Sequence, residues 1–301
     1  MKKRIILLAA QYRIFHCMRE LYRLLRFKRK WENAAQKSVL DNLSHKLIDR
    51  HVKISLPEKK IALWLDIRSD LLLRLVNGSY EEEIFDCISG YDLTNSDFID
   101  VGANIGLFSI VISKIISQNS LKKVIAVEPV KSAFRLLEKN IAENNCKNII
   151  PINSAFSDRE MVGVINVIEG NEEYSSIGNF VHPATEGKKY IPQEIKITTL
   201  DIVVENYKLT PGLIKIDVEG HEFSVLCGAL NTLKRFRPIV VFEISGHMLK
   251  SNNSSIDAVM RYLKDNNYKV FNIIDAKQQV NKFYKYFEGN AIAIPIGSNE
   301  S

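Results

Sequence analysis

The sequence of 301 residues has few cysteines and no long hydrophobic run. Its four cysteines lie far apart and form no CxxC pair, which argues against a zinc site or a disulfide framework and fits a reducing compartment. No apolar run reaches the roughly eighteen residues that a membrane-spanning helix needs. With 46% hydrophobic and 25% charged residues, the chain is expected to be a cytoplasmic globular protein.

Excess positive charge is confined to the N-terminus. The formal net charge is +6, yet residues 1–30 hold ten Lys and Arg against a single Glu, a local charge of +9, so the rest carries −3. Because the body is not basic, we expect no nucleic-acid partner. Residues 1–30 also show apolar residues at helical spacing, which predicts a basic amphipathic helix. Such a helix could contact the inner face of an anionic membrane, or could simply pack on the domain as a solvated helix.

The chain is predicted to divide near residue 60. Residues 31–60 are polar and are interpreted as a partly helical linker, whereas residues 61–76 are apolar and predict short strands or a helix. We therefore expect a helical extension at 1–60 and a folded domain at 61–301. The sequence does not reveal an oligomeric state.

The stretch FIDVGANIG at 98–106 predicts a strand, a glycine-rich turn and the start of a helix. Glycines allow the tight turn and let a ligand approach the backbone, and the free N–H groups of the helix favour polar ligands. A second strand, VIAV, ends about one βα unit later at Glu128, where a carboxylate can accept ribose hydroxyls. The pair predicts a site for a nucleoside-containing cofactor.

Strands and helices alternate from residue 98 onward, which predicts a mostly parallel sheet with helices on both faces. The last two strands, YKVFNII and NAIAIPI, follow each other directly and predict an antiparallel hairpin. The expected fold is α/β, Rossmann-like, with seven strands. The predicted strands are 98–101, 123–128, 148–153, 213–217 and 238–244, and the predicted helices are 106–117, 131–144, 220–234 and 254–266.

Residues 154–200 interrupt this alternation. They contain two extended stretches, VGVINVI and EIKITTL. Between them, residues 170–189 are polar and rich in small residues, which predicts an exposed, mobile loop.

The identity of the cofactor follows from the turn. A nicotinamide dinucleotide favours GxGxxG, but this turn lacks the third glycine of that fingerprint. Asn104 instead offers an amide, Asp100 can meet an ammonium group, and Glu128 with Pro129 can hold a ribose. A ligand that combines an ammonium, a carboxylate, a ribose and an adenine group is S-adenosylmethionine.

The stretch LIKIDVEGHE at 213–222 is predicted to carry the chemistry, because it ends a strand beside the cofactor motif. Asp217, Glu219 and His221 are candidates for the base that takes a proton from an acceptor. Each has a plain alternative, since acidic residues also stabilise helix N-termini and a histidine can simply begin a helix. Lys215 points to the same side as Asp217, and Glu243 on the next strand could pair with Lys215 or bind substrate. Four of these residues could also bind a metal, but no spacing is diagnostic of zinc or magnesium and no metal is predicted; they are Asp217, Glu219, His221 and Glu243.

From about residue 75 to 295, the sequence resembles the FkbM family of class I methyltransferases. The resemblance rests on GSYEEE at 78–83, FIDVGANIGLFS at 98–109, VIAVEPVKSAFRLLEKNI at 124–141, TTLD at 198–201 and LIKIDVEGHEFSVLCGA at 213–229. It implies methyl transfer from S-adenosylmethionine, usually to a hydroxyl oxygen, on sugars, glycolipids or polyketide-like molecules.

The resemblance also implies roles for individual residues. Tyr80 and Glu81 match the family's G-x-Y-E element, although a helix start capped by Ser79 is an equal alternative. Glu128 would bind ribose, and Ala155 or Phe156 would border adenine. The residues implied at the methionine end of the cofactor are Asp100, Gly102, Asn104 and Gly106.

Three functions are therefore compared. The first is O-methylation of a sugar, glycan or glycolipid, as in polysaccharide biosynthesis. The second is a nicotinamide-dependent oxidoreductase of related fold, and the third is a cofactor-binding scaffold without activity. The missing fingerprint glycine and the terminal hairpin argue against the second, and the acidic set at 217–222 argues against the third.

Overall fold

A computed structural model describes residues 50–77, 80–119, 121–177, 189–274 and 288–297. The predicted basic helix at 1–30 lies outside the described residues. The chain divides into two units, Met1–His51 with Asp66–Tyr80, and Val52–Leu65 with Glu81–Ser301. Within the described ranges, no helix combines the length and hydrophobicity needed to cross a bilayer.

In the smaller unit, a short helix α1 spans Asp70–Val76. Ser69 caps it, because the Ser69 side chain accepts a hydrogen bond from the Leu71 backbone N–H at 3.1 Å. The preceding strand β2, Ile61–Asp66, means that the apolar stretch at 61–76 forms both a strand and a helix.

The larger unit is built on a seven-stranded sheet of order β12-β13-β11-β10-β3-β4-β5. The predicted α/β fold is confirmed. Neighbouring strands from β11 to β5 are parallel, while β13 runs antiparallel to both β11 and β12. The terminal hairpin thus joins the sheet through its second strand, which lies between β12 and β11. The strands are β3 Asp97–Val101, β4 Val124–Val127, β5 Ile149–Ile152, β10 Pro211–Ile216, β11 Ile239–Ile244, β12 Tyr268–Asn272 and β13 Gly289–Pro295.

The central strands are buried along their whole length, as expected where helices cover both faces of a parallel sheet. Helices near 106–117, 131–144 and 254–266 form as predicted, whereas those at Leu200–Tyr207 and Gly246–Ser251 were not predicted. The helices of this unit are α2 Glu82–Ser89, α3 Leu107–Ile116, α4 Lys131–Glu143, α5 Leu200–Tyr207, α6 Glu222–Cys227, α7 Leu230–Phe236, α8 Gly246–Ser251 and α9 Ile256–Asp265.

The predicted single helix at 220–234 is wrong, because the chain forms α6 and α7 with a break between them. Gly228 lies in the break, and a Cβ at this position would collide with the carbonyl oxygen of Ser157. The Gly228 carbonyl accepts a hydrogen bond from the Asp201 N–H at 3.0 Å instead of continuing a helix. A tertiary contact therefore overrides the helical pattern.

A second sheet, of order β6-β9-β7-β8, forms from residues 155–198. The two extended stretches of the sequence pair antiparallel as β7 and β9. The prediction of an exposed loop is wrong for its first part, where Asn171, Tyr174 and Ser176 are buried; residues 178–188 lie outside the description. The strands are β6 Ala155–Phe156, β7 Met161–Val167, β8 Ser176–Ile177 and β9 Ile191–Thr198, with a 3-10 turn at Glu172–Tyr174.

Residues before the main sheet also differ from the predicted linker. A strand β1, His51–Leu56, and a 3-10 turn at Pro57–Lys59 precede β2, with which β1 forms a two-stranded sheet. Asn140 of α4 is fully buried and fastens β2, since its amide accepts from the Trp64 N–H at 2.6 Å and donates to the Trp64 carbonyl at 3.0 Å. The alternating burial of β1 is a strand pattern that the polar composition hid.

Candidate active site

The candidate site lies at the carboxyl ends of β3, β4, β10 and β11, where parallel strands bring their ends to one edge. Asp100 of β3 lies directly beside Lys215 of β10 in the sheet register. Lys215 in turn lies beside Val241 of β11. Because side chains alternate along a strand, Asp217 and Glu243, each two positions further on, project toward the same face.

Gly102 sets the turn after β3. Its φ of +81° is in the left-handed region, and a Cβ there would collide with the carbonyl oxygen of Asp217. The N–H groups of Gly102 and Ala103 donate to the Val127 carbonyl at 3.0 and 2.9 Å. The turn therefore presses against the ends of both neighbouring strands, which leaves its outer backbone available to a ligand.

Asn104 and Gly106 complete the turn with φ values of +48° and +92°. Position 106 faces the protein, since a Cβ there would lie 2.5 Å from Cδ1 of Leu137 on α4. Its glycine thus serves the packing of α4 against the turn. Asn104 uses its backbone N–H to donate to Oε2 of Glu128 at 2.9 Å.

Glu128 is 6% exposed and is held at both carboxylate oxygens. Oε1 accepts from the Val130 N–H at 2.8 Å, while Oε2 accepts from the Asn104 N–H. Burial raises the pKa of Glu128 to about 7, against the effect of these backbone donors. Each oxygen keeps a second lone pair, so the carboxylate can still accept hydroxyl donors.

Asp100 is 1% exposed. Its Oδ2 accepts from the Ser109 hydroxyl at 2.6 Å, while Oδ1 is buried and finds no partner among the described residues. Burial raises the pKa of Asp100, and Lys215 acts against burial. An unpartnered buried oxygen needs a donor, and an ammonium group supplies one. Ser109 ends the quoted stretch at 98–109, but its contact with Asp100 was not predicted and follows from the packing of α3 on β3.

Lys215 is buried and forms an ion pair with Asp217, with Nζ 2.8 Å from Oδ2. Nζ also lies 4.7 Å from the ring centroid of Phe108. Burial lowers the pKa of Lys215, but the carboxylates of Asp217, Glu81 and Asp100 outweigh burial and raise it. The observed hydrogen-bonded partner of Lys215 is Asp217, which directly follows β10.

Two further carboxyls lie close to this pair. Glu81 is the N-cap of α2 and has a φ of +50°. Burial raises the pKa of Glu81 to about 7, with Lys215 acting against burial and Asp217 acting with it. Burial also raises the pKa of Glu219 well above its ordinary value, and Asp217 and Glu243 add to the effect.

His221 is the N-cap of the short helix α6. Burial lowers the pKa of His221, and Nδ1 is buried without a partner among the described residues. Burial therefore favours the uncharged form of the His221 ring.

Glu222 is the residue of this motif that the sequence interpretation missed. It is 2% exposed, and its Oε1 accepts from the Gly220 N–H at 3.1 Å and the Val218 N–H at 3.4 Å. Burial raises the pKa of Glu222 to about 7. This side chain shapes the turn that carries Glu219, whose φ is +53°. A Glu at the first turn of a helix, able to reach back to free N–H groups, was the available signal.

Three residues predicted at the nucleoside end lie beside β4. The Pro129 carbonyl accepts from the amides of Asn153 and Gln193 at 3.1 and 3.0 Å. Ala155 and Phe156 form β6, and both are buried. Phe156 contributes its ring to the main hydrophobic core.

The residues at this edge fit a nucleoside with an amino-acid tail. Oδ1 of Asp100 needs a donor, Glu128 can accept hydroxyls, and the turn at Gly102 excludes any side chain. These features sit on three adjacent elements, so one ligand can reach all of them.

Comparisons with known proteins agree with this assignment of the edge. Residues 100–270 match a family model described as the methyltransferase FkbM domain. No curated protein matched the chain.

Solved structures with similar folds include methyltransferase FkbM from Methylobacillus flagellatus KT, at 14% identity and a TM-score of 0.41. That match covers 66% of this chain and 43% of the other, so the chain spans less than half the length of that protein. Another is TYW2 of M. jannaschii in complex with AdoMet, at 13% identity and a TM-score of 0.42, with 82% of this chain and 85% of the other covered.

Proposed function

The chain belongs to the FkbM methyltransferase family, and from that premise we propose that it methylates a hydroxyl oxygen of a sugar, glycan or glycolipid. It is an S-adenosylmethionine-dependent methyltransferase of class I fold. Membership of this family does not support the nicotinamide-dependent alternative. The observation that carries the proposal is the polar edge at β3, β4 and β10, where cofactor-binding and proton-accepting groups adjoin.

When bound, S-adenosylmethionine supplies a methyl group activated by its sulfonium. Glu128 would hold the ribose hydroxyls, and Oδ1 of Asp100 would accept from the ammonium group. The Gly102 turn and Asn104 would surround the methionine end, and Pro129 with Ala155 and Phe156 would border the nucleoside. Since backbone N–H groups hold both oxygens of Glu128 and the Ser109 hydroxyl holds Asp100, little reorganisation is needed on binding.

The acceptor hydroxyl must lose its proton during transfer, and we assign that proton to His221. Its ring is uncharged near neutral pH because burial lowers its pKa, and Nδ1 has no partner among the described residues. Asp217 would orient the acceptor, with Lys215 fixing its carboxylate through the bond at 2.8 Å.

The assignment of His221 is tested by the pH dependence of kcat/KM. The measured quantity is kcat/KM for the acceptor at saturating S-adenosylmethionine, where the titration of Glu128 does not limit cofactor binding. Since the lowered pKa keeps the base active below the ordinary histidine value of about 6.5, the acidic decline should begin below that pH. His221→Gln should reduce turnover about 100-fold and remove the decline. His247→Gln, at an exposed position, is the control. An unchanged profile in His221→Gln excludes this histidine as the base.

The reaction itself is tested by incubating the full chain with labelled cofactor and a panel of sugars and glycolipid extracts. The expected product gains one methylene by mass and shows a methoxy carbon by NMR. A deoxy analogue of the active acceptor should not react. Labelling at nitrogen or carbon would overturn O-methylation, and cofactor binding without turnover on any acceptor would favour a scaffold.

We further propose that residues 1–30 contact anionic membrane, which their charge of +9 supports. Each Lys or Arg near such a surface contributes about 1 kcal/mol. The full chain should sediment with anionic vesicles and lose this property on deletion of residues 1–30. An unchanged vesicle-bound fraction after deletion would remove the membrane role.

A further inference from the structure

Three carboxyls meet at the acceptor side of the edge. One oxygen from each of Asp217, Glu219 and Glu243 can be chosen so that all lie within 4.8 Å of one another. They come from the end of β10, from the turn after it, and from β11. The strand register brings Asp217 and Glu243 together, and the left-handed backbone of Glu219 turns its side chain toward them.

Glu219 gives an independent indication that this cluster can bind a ligand. Although the residue as a whole keeps some exposed surface, its carboxyl group is deeply enclosed by protein. Its Oε2 is buried and has no hydrogen-bond partner among the described residues. A buried carboxylate oxygen without a partner is costly, so this atom needs a donor or a cation.

The Lys215 ammonium donates to another carboxylate of the cluster. Its Nζ lies 2.8 Å from Oδ2 of Asp217, whereas Oε2 of Glu219 has no partner among the described residues. Glu81 adds a further carboxyl near Asp217 and Glu243, and its own Oε2 is buried and unpartnered among the described residues. The carboxylates of Asp217, Glu81 and Asp100 all act on the Lys215 ammonium, and a further positive charge at this edge would favour the ionised form of these acids.

We propose that Asp217, Glu219 and Glu243 bind a divalent cation of the magnesium, manganese or calcium type. Carboxylate oxygens are the ligands these hard cations prefer. Two oxygens on one Ca²⁺ ion, at 2.3–2.6 Å, are at most about 5 Å apart, and two on one Mg²⁺ ion, at 2.0–2.1 Å, at most about 4 Å apart. The three oxygens all lie within 4.8 Å of one another, which suits Ca²⁺ directly and Mg²⁺ or Mn²⁺ after a small movement of the side chains. The inference rests on the proposed function, because the cation would bind and orient the acceptor oxygen at the edge where transfer occurs.

The test uses the full, untagged chain after treatment with a chelator, with Mn²⁺ as the probe. Electron paramagnetic resonance should show loss of the free Mn²⁺ signal up to one ion per chain, and calorimetry should give the affinity. Glu219→Gln and Glu243→Gln keep the shape of the side chain and remove its charge. Each should weaken Mn²⁺ binding at least about tenfold.

Glu205→Gln, at an exposed position of α5, is the matched control and should bind Mn²⁺ as the wild type does. Circular dichroism of each variant must match the wild type, and Glu243→Gln serves if Glu219→Gln does not fold. The proposal is overturned if the folded wild type does not bind Mn²⁺. It is also overturned if both site variants bind Mn²⁺ as tightly as the wild type does.

Two further measurements separate this inference from others. If ethylammonium binds in a Glu219-dependent manner and Mn²⁺ does not, the cluster recognises an organic cation and the metal proposal is wrong. S-adenosylhomocysteine binding is measured in parallel without metal. A chain that binds the nucleoside but not Mn²⁺ loses only the cation site, whereas one that binds Mn²⁺ but not the nucleoside loses the proposed function.

Discussion

The nucleoside side of the site and its acidic side are built in opposite ways. At the nucleoside side, both oxygens of Glu128 accept backbone N–H groups at 2.8 and 2.9 Å. At the acidic side, Oε2 of Glu219 and Oε2 of Glu81 have no partners among the described residues. The first side is positioned before any ligand arrives, whereas the second holds buried carboxyl oxygens that a ligand can partner. Binding and chemistry should therefore respond to different substitutions.

Gly102→Ala should have the largest effect, because the two sides touch at this residue. A Cβ would collide with the Asp217 carbonyl and would also have to adopt a φ of +81°. We expect a loss of at least about 3 kcal/mol in the free energy of unfolding, together with loss of S-adenosylhomocysteine binding. Urea denaturation and calorimetry measure the two quantities.

Gly289→Ala is the control for this substitution, since Gly289 has a φ of +120° but no atom within 4 Å of the added Cβ. Gly289→Ala should lower the free energy of unfolding only by the cost of placing alanine at a positive φ. If the two variants lose equal stability, close contact between the two sides is not what requires a glycine at position 102.

Asp217→Asn should impair the acidic side alone. Removing the carboxylate leaves the Lys215 ammonium without its charged partner at 2.8 Å. Turnover should fall at least about tenfold, while nucleoside affinity changes little. Steady-state kinetics and calorimetry on the purified variant test this separation, with Asp257→Asn on α9 as the control. Wild-type turnover would refute the role of Asp217.

Glu128 should make nucleoside binding depend on pH. Because burial raises its pKa to about 7, its charged form, the better acceptor of ribose hydroxyls, becomes populated as pH rises through 7. Affinity for S-adenosylhomocysteine should increase up to about tenfold between pH 6 and pH 8. The Glu128→Gln variant should bind more weakly and without this increase.

Glu128 should also make the free energy of unfolding depend on pH, but this quantity falls as pH rises, whereas nucleoside affinity increases. Burial favours the protonated form in the folded state, so its contribution is fully present below pH 4.5 and is lost as pH rises through 7. Wild type should therefore lose stability relative to Glu128→Gln between these values. A difference between the two proteins that does not change with pH would contradict the raised pKa.

Ser109→Ala should have the smallest effect. It removes the hydrogen bond of 2.6 Å to Oδ2 of Asp100 and leaves the nucleoside side otherwise intact. We expect about 1–2 kcal/mol lower stability and a reduced nucleoside affinity. Ser117→Ala, at the exposed end of the same helix, provides the comparison. Equal effects of the two variants would show that the bond to Asp100 has no special role.

Much of the fold was readable because its signals are local. The glycine turn after β3 and Glu128 after β4 each follow a buried strand. The left-handed backbone of the turn and the hydrogen bond from the Val130 N–H to Glu128 both involve residues that are near in the sequence. The second sheet was not readable, since the pairing of β7 with β9 joins stretches separated by the polar segment at 170–189. The break at Gly228 depends on Ser157, which is far away in the sequence.

The site divides in the same manner. His221, Glu219 and Asp217 were found from one strand end, but the role of Glu222 depends on a turn whose shape is set by Gly220. A Cβ at Gly220 would lie 2.7 Å from the Met248 carbonyl, on a helix that follows β11. The sequence also did not determine the partner of Lys215, for which Glu243 was one candidate. In the folded protein the partner is Asp217.

The amino-acid sequence alone determined the strand–turn–helix that receives the cofactor, the alternation of strands and helices in the main sheet, and the family of the protein, because backbone conformation and burial patterns depend on neighbouring residues. Only the tertiary structure decided which carboxyls face one another and how far burial shifts their pKa values. The reason is that β3 and β10 lie side by side although more than a hundred residues separate them, and charges interact through space and dielectric, not along the chain.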